Sequence, residues 1–134
     1  MVTALVALSL VSCDNSNKSK VAVYKAKAEQ LAARMDELCN QQDTLAILAM
    51  EDSIRAFEQE VENTGDIEAL DSVRFALKET RQRNSAYITT LKIDNGMDKE
   101  KAVRDVINDA LYGDVGITTV TETIHAAYNK EEKK

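Results

Sequence analysis

At 134 residues the chain is long enough for one domain with a modest core and too short for two comfortable ones. Hydrophobic residues make up 44% and charged residues 30%, which excludes a disordered chain, and a formal net charge of −6 with only short basic clusters argues against nucleic acid as a partner. Pro is absent, Gly occurs four times and aromatics amount to 4%, so composition alone predicts long helices around an aliphatic core.

Val2 to Val11 is almost wholly apolar and stops at Ser12-Cys13, followed at once by a polar run from Asp14 to Lys20. A helix needs ~20 residues to cross a bilayer core of ~30 Å. The stretch is too short for that and has the length of a secretory h-region. Leu10-Val11-Ser12-Cys13 resembles the lipobox of bacterial lipoprotein signal peptides, which reads as an apolar residue, two small or aliphatic residues and a Cys. The resemblance implies a diacylglycerol on the Cys13 sulfur, cleavage before Cys13, and a membrane anchor in the bacterial cell envelope. Asp14 leaves inner or outer membrane open. Two or more acyl chains anchor stably because each buried methylene contributes ~0.8 kcal/mol. Met1 to Ser12 contains neither Lys nor Arg, a departure from the family pattern, so the basic n-region is expected upstream of Met1. The expected organisation is a signal peptide over 1–12, a lipidated Cys13 with a polar tether over 13–20, one helical domain over 21–129 and a charged tail over 130–134. With Cys13 lipidated, Cys39 is left as a lone thiol on a helix flank, or as the link in a disulfide-bonded homo-oligomer.

Beyond Lys20 the apolar positions alternate at spacings of three and four. Val21, Tyr24, Ala28, Leu31, Met35 and Leu38 form the first stripe, which ends at Asn40-Gln41-Gln42. Asp43 or Thr44 caps the second, which carries Ile47, Met50, Ile54, Phe57 and Val61, thickened by Leu45 and Leu48. Asn63-Thr64-Gly65 stops it, and Asp66 caps the third, with Leu70, Val73, Leu77, Thr80, Asn84, Tyr87 and Leu91. Thr80 and Asn84 soften this seam and are expected to set register or face water. Ile93-Asp94-Asn95-Gly96 reads as a turn. A short fourth helix then follows with Val103, Val106, Ile107, Ala110 and Leu111. After a break at Gly113 to Gly116, Ile117, Val120, Ile124, Ala127 and Tyr128 suggest a fifth. Its threonines are β-prone, as is Tyr87 to Ile93, so a small hairpin of 87–93 with 115–124 is the structural alternative. The fold class is therefore all-α: a small helical bundle with a three-helix up-down-up core and one or two short C-terminal helices.

Charges flanking the second and third stripes set their direction. In heptad terms Glu51 and Glu58 occupy one flank, Arg74 and Arg81 the matching flank, so an antiparallel hairpin pairs Glu58 with Arg74 and Glu51 with Arg81. Arg74, Lys78 and Arg81 also form a basic ridge able to touch lipid headgroups or an acidic partner. His125 is the single histidine, no glycine-rich phosphate loop or Cys-x-x-Cys is present, and Asp94 to Glu100 lacks the spacing of a calcium loop. No catalytic residue, metal ligand or cofactor is nominated. The sequence therefore points to a non-enzymatic, lipid-anchored binding or structural module with a protein partner of unspecified identity. An envelope inhibitor or immunity-type protein that neutralises a toxin or hydrolase is the alternative.

Overall fold

Three aspartates start three helices. Asp43 accepts a hydrogen bond from the Ala46 amide, Asp66 from Ala69 and Asp98 from Lys101, at 3.3, 3.1 and 3.2 Å, each meeting a donor that a helix N-terminus leaves over. The computed structural model describes residues 16–113 and 115–132. The capped helices are α2 (Thr44–Asn63), α3 (Ile67–Asp94) and α4 (Lys99–Leu111), set between α1 (Ser16–Gln41) and α5 (Ile117–Glu132). No strand occurs among the described residues, so the all-α bundle stands and the hairpin alternative does not. α1 takes in Ser16 to Lys20, part of the segment expected as a tether, and α3 runs on to Asp94 before turning at Asn95 and Gly96.

Both connections within the three-helix core are tight. α1 ends with Gln42 at φ 57, its amide bonded to the Cys39 carbonyl and the Asp43 amide to the Leu38 carbonyl, the paired bonds of a left-handed helix stop. α2 ends at Gly65, φ 77. Short turns force neighbours to run antiparallel, so α1 and α3 are parallel.

The three stripes converge on one core. Ala28, Met35 and Leu38 from α1 meet Ile47, Ile54, Phe57 and Val61 from α2 and Ala69, Val73, Leu77, Ile88 and Leu91 from α3, with Val21, Tyr24, Leu31, Met50 and Leu48 packed around them. Leu45, expected to thicken the core, is 76% exposed. The polar seam of α3 sets register. The Thr80 hydroxyl and the Asn84 amide both donate to Asp36 of α1 at 2.7 Å, and Arg83 closes on the same carboxylate. Partial desolvation of Asp36 is outweighed by these donors and the Arg83 charge, which hold its carboxyl below the usual range.

α4, α5 and the connection between them bury Ala102, Val103, Val106, Val115 and Ala127, residues outside the aliphatic cluster of α1 to α3. The buried line of α5 is Thr119, Thr123 and Ala127, while Ile117, expected inside, is 80% exposed. Thr123 donates to the Thr119 carbonyl at 2.7 Å, so its hydroxyl is satisfied within its own helix, which lets a β-prone residue lie buried there.

Gln42 occupies a conformation that costs an L-residue ~1–2 kcal/mol and glycine little. Gln42→Gly is expected to raise unfolding stability by roughly 1 kcal/mol in a urea titration at constant m-value.

Candidate functional site

The charged flanks of α2 and α3 meet beneath α4 in a chain of ion pairs. Glu51, one turn before Arg55, accepts from the Arg55 Nε at 2.9 Å, and Lys92 from the far end of α3 closes on the same carboxylate. The remaining guanidinium edge of Arg55 forks onto both oxygens of Asp109 in α4 at 3.2 and 3.0 Å. Lys92 also reaches Asp105 at 3.4 Å. Glu51, Lys92 and Asp109 are all buried. Burial alone would raise the Glu51 carboxyl, but the Arg55 and Lys92 charges beside it bring it down to about 2.

A second cluster lies toward the α2–α3 turn. Both Nη atoms of Arg81 donate to Glu58, at 3.1 and 2.8 Å, and the Arg74 Nε donates to Glu58 at 3.2 Å. Desolvation pushes the Glu58 carboxyl up, and the two guanidiniums overcome it and hold it below its usual range. Arg74 also lies over the Tyr112 ring, 4.1 Å from its centroid, which ties the end of α4 to this level of α3. Between the clusters a cleft of about 250 Å³ is lined by Arg55, Glu58, Gln59, Glu62, Arg74, Asn108, Asp109 and Tyr112.

The antiparallel pairing of Glu58 with Arg74 holds. Glu51 does not take Arg81 as expected: Arg81 turns to Glu58, and Glu51 is held by Arg55 and Lys92 instead. A two-helix view misses α4, whose Asp105 and Asp109 draw Lys92 and Arg55 inward and place cations beside Glu51. The ridge of Arg74, Lys78 and Arg81 is therefore divided. Arg81 is buried, Arg74 half-buried in its ion pairs, and Lys78 exposed. Cys13 lies outside the described residues. Cys39 is a free, buried thiol, pushed up to about 11 by desolvation with the Asp36 and Glu51 charges adding to it, a setting that suppresses the reactive thiolate. His125 sits exposed on α5. Among the described residues no three His, Cys, Asp or Glu side chains group as metal ligands, and no helix is long and apolar enough to cross a membrane.

The chain matches no protein-family model, no curated protein and no solved structure.

Glu51 supplies a pH signature. Its folded-state carboxyl is depressed from an ordinary 4.5 to about 2, so its contribution is complete above about 4.5 and is lost as pH falls toward 2. The linkage amounts to about 3 kcal/mol. Urea midpoints of wild type should fall over that window, and Glu51→Gln should be less stable at neutral pH with a measurably flatter acid limb, the remaining slope coming from Glu58 and Asp36. Parallel acid limbs for the two proteins would contradict the assignment.

Proposed function

We propose that the chain is a lipid-anchored module of the bacterial cell envelope that binds another protein and carries out no reaction of its own. The observation that carries this reading is Leu10-Val11-Ser12-Cys13, an apolar run ending in a lipobox-like Cys ahead of a polar segment. Residues 1–15 lie outside the described residues, so this reading stands on the sequence pattern alone. The cleft of about 250 Å³ offers hydrogen-bonding groups and a tyrosine ring beside ion pairs that are engaged with one another.

The anchor is tested by expressing the chain in a bacterium behind a basic n-region and following it with labelled palmitate and by membrane fractionation. Wild type should take up label and sediment with membranes, and Cys13→Ser should do neither. Wild type that remains unlabelled and soluble would sink the proposal.

A further inference from the structure

α3 is longer than the elements that cover it. Its 28 residues extend ~42 Å, whereas the 16 residues of α5 extend ~24 Å. The covered part is the C-terminal half, where Ser85, Thr89 and Lys92 are buried; one heptad earlier Lys78 and Gln82 are exposed. Phe75 lies on this uncovered face and is 75% exposed, with Ile67 two turns before it at 74%. The chain has two Phe residues, and the other, Phe57, is in the core at 5%. The Arg74 contact with Tyr112 sets the end of the α4–α5 hairpin at the level of Phe75 without burying it.

We infer that this outer face of the N-terminal half of α3, centred on Phe75, docks a basic amphipathic helix of a partner protein. The inference deepens the binding-module reading and rests on it, though not on lipidation. Glu68, Asp71 and Glu79 stand seven and four positions before Phe75 and four after it, all exposed, against the single cation Lys78. An aromatic anchor framed by carboxylates complements apolar side chains flanked by Lys or Arg. Ile67 and Phe75, ~12 Å apart along the axis, match apolar residues spaced two turns apart on a partner helix. A second copy of this chain, at net charge −6, brings like charge against like, and an anionic bilayer does the same.

The test uses the full chain carrying Cys13→Ser and a fluorescent Leu–Lys amphipathic helix of ~18 residues, with a Leu–Glu helix of the same pattern as control. Fluorescence anisotropy should show salt-sensitive binding of the Leu–Lys helix alone. Phe75→Ala should weaken it by about tenfold with an unchanged melting midpoint, because the side chain is exposed. Combining Glu68→Lys, Asp71→Lys and Glu79→Lys should abolish Leu–Lys binding and admit the Leu–Glu helix. Leu–Lys binding indifferent to Phe75→Ala overturns the docking face. So does a wild-type dimer that Phe75→Ala dissociates, which makes a second copy the occupant. Phe75-dependent sedimentation with phosphatidylglycerol vesicles overturns it in favour of a lipid surface. Since every arm uses the Cys13→Ser background, failure here leaves the palmitate result standing, and failure of the anchor leaves these results standing.

Discussion

The Arg55 guanidinium, held between Glu51 of its own helix and Asp109 of α4, is the constraint on which the rest of the arrangement depends. The main aliphatic cluster belongs to α1, α2 and α3, and the smaller apolar set of Ala102, Val103, Val106 and Ala127 holds α4 and α5 without fixing their register. Arg55 from α2 and Lys92 from α3 fix that of α4, each spanning Glu51 and one aspartate of α4. A forked guanidinium accepts few geometries, and removing one member of such a buried group leaves an uncompensated charge, at a cost of ~3–5 kcal/mol. The position of α4 along the α2–α3 hairpin is thereby restricted to the register that brings Asp105 to Lys92 and Asp109 to Arg55.

The contact of α5 with α3 follows a different rule. Thr119, Thr123 and Ala127, the buried line of α5, are all small. Small side chains allow close approach, and hydroxyls that bond back to their own helix need no partner across the interface, as Thr123 shows with the Thr119 carbonyl. Large aliphatics on this line would hold α5 farther from the helices it packs against.

Local signals in the sequence carried most of the fold. The alternation of three and four at Val21 to Leu38, Ile47 to Val61 and Leu70 to Leu91 is a property of one helix at a time, and the Asp caps act over three residues, so both are readable without tertiary knowledge. Errors arose where a third element intervened. Leu45 and Ile117 look like core residues by type, yet each sits at or next to a helix start and is exposed. Glu51 and Arg81 are complementary within the α2–α3 pair, and only the carboxylates of α4 redirect the cations around them. The cleft was illegible for the same reason: Gln59 from α2, Arg74 from α3 and Asn108 from α4 come from separated segments with no shared motif. Phe75 lies off the heptad stripe, so periodicity does not mark it; its sequence signal is an off-stripe aromatic in a chain with two Phe residues.

The two proposals bear on each other through the direction of the helices. Tyr24 of α1 lies against Phe57 of α2, and the next residue of α2, Glu58, meets Arg74 of α3, so Tyr24, Phe57 and Phe75 stand at one level of the bundle. Tyr24 is eight residues into α1 from Ser16, a rise of ~12 Å, and the three residues from Cys13 to Ser16 add at most ~10 Å. With Cys13 in a bilayer, the Phe75 face therefore lies within ~22 Å of the lipid surface, in the half of the bundle next to the membrane rather than at its far end. Partners whose helix is held near that same surface meet it at high effective concentration, while a freely diffusing partner has no such advantage. Were Cys13 lipidated, anchoring would select among partners by height as well as by charge. On the same two proposals, the exposed carboxylates around Phe75 would also resist collapse of that face onto an anionic headgroup layer and leave it open to a basic helix.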